Sequence, residues 1–163
     1  MPLTSQGEGQ DMVKKTVALL LLIGVVWLAW LFLHPPQVIR ADDSALYVKN
    51  LPFSDRGKVN WWRDNRAALQ KQFPLLVRPG KAVVMIMNFD RYDRLPTGTR
   101  DGSIDDYNCF TDISAPENCI YKEMVMLIFI HPGKKTVYSF GETSYEERPD
   151  GTLKRVHETF SIR

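Results

Sequence analysis

The longest apolar run in the chain lies near its start and extends from Thr16 to Leu33 without a charged residue. At about 1.5 Å per residue a helix of this length covers roughly 27 Å, close to the hydrocarbon thickness of a bilayer. The run has no polar face at a period of 3.6, which a helix on the surface of a soluble protein would show. It therefore predicts a transmembrane helix, which takes residues 14–34 with its flanks.

The residues that flank this run predict its orientation. Lys14 and Lys15 precede it, and positive flanks stay in the cytoplasm, while Trp27 and Trp30 suit the opposite interface. We expect residues 1–13 to form a short cytoplasmic tail, disordered over 1–11, and residues 35–163 to form a domain outside the cytoplasm. Two alternatives remain open. A cleaved signal peptide would need a small-x-small site, which is missing, and a buried helix of a soluble protein is seldom this long and uncharged.

Downstream, the hydrophobic pattern changes from strand to helix and back to strand. Ser54 or Asp55 can cap a helix over residues 55–73. One apolar stripe follows helical spacing, with Arg66 as a polar interruption: Val59, Trp62, Leu69 and Phe73. Runs at 81–89 and 123–130 predict buried strands, and turn signals at 42–44 and 149–151 predict hairpins, the second of them charged and at a sheet edge. This order predicts an α+β fold, with the helix packed on an antiparallel sheet.

Residues 90–122 are polar and rich in turn formers, and they predict a long excursion from the sheet. They contain the only two cysteines, Cys109 and Cys119. In an oxidising compartment such a pair predicts a structural disulfide, worth about 2–3 kcal/mol. The alternative, a metal or redox pair, lacks a second cysteine pair, a histidine cluster or CxxC spacing.

Composition and motifs argue against most chemical functions. Lys and Arg number 21 against 19 Asp and Glu, and no block of like charge favours a nucleic-acid partner. We find no catalytic motif or cofactor motif, and the remaining acid–base candidates are scattered: His131, His157, Asp105 and Asp106. The segment 101–106 could bind a divalent cation only loosely, since it lacks the full calcium-loop pattern. We expect no enzyme activity, no cofactor and no metal.

Adjacent tryptophans in the predicted helix suggest a binding surface. Trp61 and Trp62 diverge by about 100°, so only Trp62 can join the apolar stripe. Trp61 is left partly exposed or covered by another segment, and the simplest interpretation is that both rings pack. The alternative is a partner contact formed by Trp61 with Arg63 or Arg66, because exposed Trp and Arg dominate interface hot spots.

The anchor, the segment PFSDRGKVNWW from Pro52 to Trp62, and the CF and NCI segments at the two cysteines carry a resemblance. In these features the chain resembles the enterobacterial membrane proteins of the domain of unknown function 943 family. The likeness covers most of residues 12–125 and is weaker from Met126 onward. It implies a Gram-negative inner membrane with periplasmic exposure, and it implies no activity.

These features favour a periplasmic domain that binds a protein, with an immunity-type protein that neutralises a toxin as the concrete form. A structural or regulatory envelope component is the alternative, although Gly24 lacks a second small residue at the spacing that supports helix dimerisation. A periplasmic hydrolase is the least favoured function.

Overall fold

The computed structural model describes residues 6–74, 76, 83–98, 102–131 and 135–157. The chain divides into two compact units, Met1–Pro35 and Pro36–Arg163.

The described residues of the first unit form one helix, α1 (Gln6–Leu33). One stretch of it, Met12–Trp30, is long and apolar enough to cross a membrane, and the protein buries none of that stretch. The sequence predicts disorder over residues 1–11. Residues 1–5 of that range lie outside the described residues, and the rest of it is helical from Gln6. Adding residues to a formed helix costs much less than nucleating one, so the apolar segment can propagate helix into a polar flank.

The second unit contains one long helix and nine strands among its described residues. The helix is α2 (Asp55–Gln72). The strands are β1 (Gln37–Asp42), β2 (Ala45–Lys49), β3 (Val83–Asn88), β4 (Tyr107–Cys109), β5 (Cys119–Tyr121), β6 (Met124–Ile130), β7 (Thr136–Ser139), β8 (Thr143–Glu147) and β9 (Leu153–His157). The fold is α+β, as the pattern predicts.

Seven strands form the main sheet in the order β1-β2-β3-β6-β7-β8-β9. Every neighbouring pair is antiparallel except β2 and β3, which are parallel. Parallel neighbours need a crossover connection, and α2 lies in the connection between β2 and β3. The charged C-terminal hairpin lies at a sheet edge, as predicted, and turns at Gly151 with φ of 80°.

The α2 helix packs on one face of this sheet. Its buried side chains are Val59, Trp62 and Leu69. They join alternate residues of the central strands in one core cluster, which includes Leu46, Val48, Val84, Ile86, Met126, Ile128 and Tyr138. Alternation along each strand sends the intervening residues to the opposite face, as the pleat requires.

A second core cluster covers that opposite face. Tyr47 and Met87 contribute to it from the main sheet, and Phe89, Phe110 and Ile120 contribute from the segment between β3 and β6. The Asn108 amide donates to the Tyr47 hydroxyl over 2.6 Å. The prediction of a long polar loop over residues 90–122 is therefore wrong for its second half, which forms a 3-10 turn at Ile104–Asp106 and the β4–β5 hairpin. Strands of three residues are too short to produce a readable alternation.

Candidate functional site

The three predicted contact residues lie in α2, and two of them, Arg63 and Arg66, form ion pairs within the fold. Arg63 Nε lies 3.2 Å from Glu147 Oε1, and Arg66 Nη1 lies 3.1 Å from Glu147 Oε2. Arg63 Nη2 also donates to the Gly151 carbonyl over 3.0 Å. Trp61 is half-buried and packs against the first core cluster. These contacts attach α2 to β8 and to the final hairpin turn, and a partner contact at Trp61, Arg63 and Arg66 stays a prediction.

Glu147 is the centre of this network and is 5% exposed. The buried Tyr138 hydroxyl donates to its carboxylate from the neighbouring strand. Burial, followed by the hydrogen bond to Glu147, raises the pKa of Tyr138 well above its ordinary range. A carboxylate that is paired with two guanidinium groups and a phenol joins three elements, so the network supports the fold.

The disulfide-linked hairpin holds a different surface in place. Cys109 and Cys119 are directly opposite in β4 and β5 and are joined by a disulfide. Asp93 pairs with Cys119 through two backbone hydrogen bonds of 2.8 and 3.0 Å. The chain before the hairpin is thereby fixed to the bridged strand, which limits motion of the side chains it carries.

Two adjoining clefts lie on this surface, which we call the disulfide face and define by Arg91, Asp93, Arg94, Tyr107 and Tyr121. One cleft has a volume of about 530 Å³, the other of about 250 Å³. Arg91, Asp93 and Tyr107 line both of them. The surface is therefore continuous across the two clefts.

Two arginines and one tyrosine of the disulfide face have strongly exposed side chains. The Arg91 side chain is 72% exposed and its Nε lies 2.9 Å from Asp93 Oδ1; the Arg94 side chain is 70% exposed and its Nε lies 2.5 Å from Glu117 Oε1. Tyr121 is 51% exposed and its ring meets that of Tyr107 edge to face at 5.5 Å. Exposed ion pairs add little stability, so they orient the guanidinium groups more than they hold the fold.

A bidentate ion pair ties this part of the chain to the edge of the main sheet. Arg40 on β1 donates from Nη1 and Nη2 to the two carboxylate oxygens of Asp112 over 2.9 and 2.8 Å. Its guanidinium also lies 3.8 Å from the ring centre of Phe110. The hydrogen bond from Arg40 lowers the pKa of Asp112. Together these contacts dock the segment after β4 onto the first strand.

The acid–base candidates are not assembled into a site. His131 follows the last residue of β6, and His157 pairs with Thr143 at the opposite end of the sheet. Asp105 and Asp106 lie in the exposed 3-10 turn, where the Asp105 carbonyl accepts from Lys122 Nζ. Within the described residues there is no group of three or more His, Cys, Asp or Glu that could hold a metal ion. Asp101, part of the loose cation motif, lies outside those residues.

Sequence reasoning missed the disulfide face because its residues share no spacing pattern. It also missed Phe53, which is fully exposed at 101%. A signal for Phe53 does exist in the sequence. An apolar residue just before a helix cap normally packs on the residue five positions later, and here that residue is Lys58.

Comparison with known proteins supports the resemblance noted from the sequence. A family model described as "Enterobacterial putative membrane protein (DUF943)" matches residues 10–157. The match extends through the C-terminal hairpin, beyond the segment that carries the resemblance. No curated protein and no solved structure matches the chain. With a match over most of its length, the chain belongs to the DUF943 family of enterobacterial membrane proteins.

Proposed function

We propose that this protein is anchored by α1 in the bacterial inner membrane and binds a protein partner outside the cytoplasm through the disulfide face. The observation that carries the proposal is the exposed set of Arg91, Arg94 and Tyr121 around two joined clefts. Arg and Tyr are enriched among residues that dominate binding energy at protein interfaces. The disulfide and the Asp93–Cys119 pairing keep them in place before a partner arrives, which reduces the entropy lost on binding.

The disulfide also supports the proposed orientation. Disulfides persist in the periplasm and are reduced in the cytoplasm, so the bond between Cys109 and Cys119 fits a domain on the outer side of the membrane. The Lys14–Lys15 pair before the span favours the same orientation. The two arguments are independent, since one concerns redox chemistry and the other concerns insertion.

The disulfide face is a better candidate than the patch predicted on α2. A partner that engaged Arg63 or Arg66 would have to compete with Glu147, which is almost fully buried. Leaving that carboxylate buried without its cations would cost several kcal/mol. Arg91 and Arg94 pair with carboxylates that are themselves 35% and 46% exposed, so exchanging those partners costs far less.

Photo-crosslinking in living cells tests this proposal. A photoreactive amino acid at Tyr121 should capture one defined protein, and the charge reversals Arg91→Glu and Arg94→Glu should abolish the capture. Lys154→Glu on the edge strand β9 is the matched control and should leave capture unchanged. A product that persists in both arginine variants, or no product at all, would contradict a binding role for this face.

The identity of the captured protein separates the forms of the proposal. If the protein is a toxin, production of the wild-type chain should protect cells from it, and the Arg91→Glu variant should not; this is the immunity form. Capture of a second copy of the chain would instead support a self-associating envelope component. Alanine at His131, His157, Asp105 and Asp106 should leave protection unchanged, and loss of protection would favour the hydrolase alternative.

A further inference from the structure

Phe53 is the most exposed large apolar side chain in the described part of the second unit. A phenylalanine that contacts nothing in its own fold leaves its whole ring in water, which is unfavourable. The ring is not on a free terminus, since it lies between β2 and α2. Its position leaves the ring available to a surface outside the protein.

Hydrogen bonds around the start of α2 hold the backbone of Phe53 in place. Ser54 caps α2 by accepting from the Gly57 amide over 3.1 Å, and Lys58 Nζ donates to the Phe53 carbonyl over 2.9 Å. A side chain at Gly57 would lie 2.8 Å from Pro52 Cβ and 2.9 Å from Ser54 Oγ, so the turn is packed tightly on the first turn of the helix. Residues 52–58 thus form a tightly packed turn that holds the backbone of Phe53, and the ring is exposed.

Strand pairing shows which end of the sheet lies next to residues 52–58. Gln37, the first residue of β1, pairs with Lys49, the last residue of β2, and the chain continues from Lys49 to Phe53. Gln37 also follows Leu33, the last residue of α1, by only four residues. Four residues reach about 14 Å at most. The short linker therefore limits how far Gln37 can lie from Leu33 along the chain.

The same end carries further groups that suit a lipid interface. Met124 begins β6 beside the end of β3 and is 54% exposed. Lys49 and Arg56 are exposed and flank Phe53 in sequence. The polar turns at Asp43-Ser44 and Asp150-Gly151 lie at the opposite end of the sheet. Exposed Glu123 and the turn at Gly141-Glu142 lie at the same end as Phe53. Exposed apolar side chains next to Lys or Arg favour binding at the boundary between phospholipid headgroups and acyl chains.

We propose that Phe53 inserts into the interfacial layer of the bilayer that α1 crosses, with Lys49 and Arg56 facing the phosphate groups. The domain then has two attachments to the membrane, one covalent and one through this ring. Rotation of the domain about its short linker is restricted as a result. This inference does not depend on a protein partner for the disulfide face.

Spin-label accessibility in the full chain tests the inference. The protein, with its native disulfide intact, is reconstituted in phospholipid vesicles and carries a nitroxide label at Phe53→Cys. Collisions with oxygen, which concentrates in lipid, are compared with collisions with a water-soluble nickel chelate. We expect the ratio of oxygen to nickel accessibility at position 53 to be several-fold higher than the ratio at water-exposed sites of the same protein in the same vesicles.

The control is a label at His131→Cys, which is exposed at the other end of the sheet. It should give the low ratio of an aqueous site, whereas a label at Met124→Cys should resemble that at position 53. All these positions are exposed, so the labelled proteins should fold. An aqueous ratio at position 53, or equal ratios at positions 53 and 131, would overturn the proposal.

Discussion

Gly57 lies in the first turn of α2, where a methyl group would have no room. Replacement of glycine by alanine inside a helix ordinarily stabilises it by about 1 kcal/mol. Here the added Cβ would lie under 3.0 Å from Pro52 Cβ and Ser54 Oγ, and overpacking of this kind costs about 1–3 kcal/mol. We therefore expect Gly57→Ala to lower the free energy of unfolding by about 1 kcal/mol, measured by urea denaturation in detergent. Gly98→Ala, whose Cβ meets nothing within 4 Å, should be neutral; a gain for Gly57→Ala would contradict the tight packing.

The raised pKa of Tyr138 leads to a prediction of how the free energy of unfolding changes at alkaline pH. Its pKa is raised above 10.0 in the folded protein, first by burial and then by its hydrogen bond to Glu147. Above pH 10 the unfolded chain loses the tyrosine proton while the folded chain keeps it, so the free energy of unfolding falls as pH rises. Tyr138→Phe should cost about 2 kcal/mol at pH 8, because Glu147 loses a donor, yet its stability should decline less steeply between pH 10 and 11. Parallel denaturation curves for the two proteins across that range would contradict this assignment.

Residue-level reasoning proposed a partner contact on α2 and did not find the residues of the disulfide face. Trp61, Arg63 and Arg66 were grouped because exposed Trp and Arg are enriched at interface hot spots. The pairing of both arginines with Glu147 was not identifiable, because Glu147 is 81 residues after Arg66 and belongs to a strand with high charge. Charge in a strand predicts exposure on average, and only the folded topology places this carboxylate beneath the helix.

At the scale of elements, the β4–β5 hairpin depends on its disulfide. Two strands of three residues do not form a stable hairpin alone. Closing a loop between residues 10 positions apart is worth about 3 kcal/mol through restriction of the unfolded chain. Cys109→Ala combined with Cys119→Ala should lower stability by about that amount. Amide exchange should accelerate in β4 and β5, while the amides of β6 in the central sheet stay protected.

Reductant provides the control for this comparison. It should lower the stability of the wild-type chain to that of the double variant and should leave the double variant unchanged. Equal amide exchange in β4 and β5 with and without the disulfide would mean that the second core cluster, through Phe110 and Ile120, is sufficient to hold the hairpin.

Most elements of the main sheet were accessible from the sequence, and the exceptions have physical causes. Long apolar runs such as 81–89 and 123–130 predict central strands because two-sided burial leaves no polar alternation. The parallel pairing of β2 with β3 was missed because a helix between two strands leaves the direction of return open. The second half of residues 90–122 was missed because, among its described residues, only Phe110, Cys119 and Ile120 are buried, which are too few positions to establish a period.

At the scale of the whole molecule, the Lys14–Lys15 pair should determine which side of the membrane the domain occupies. Positive residues close to a span are retained in the cytoplasm. Alkaline phosphatase fused after residue 163 should therefore be active in cells, because that enzyme needs export to form its disulfides. Lys14→Glu combined with Lys15→Glu should reduce the activity of the fusion, and Lys154→Glu should not. Full activity in the double variant would show that another feature sets the orientation.

The two end strands of the main sheet bear on how this protein behaves when many copies share one membrane. Confinement to a plane raises the frequency of encounters, and unpaired strand edges invite sheet-to-sheet aggregation. Both edges carry features that oppose it. The β1 edge has an irregularity in register between Val38 and Arg40, and the β9 edge presents Lys154 and Arg155. Such edges discourage an accidental continuous sheet between neighbours, so crowding in the membrane leaves each copy available to its own ligand.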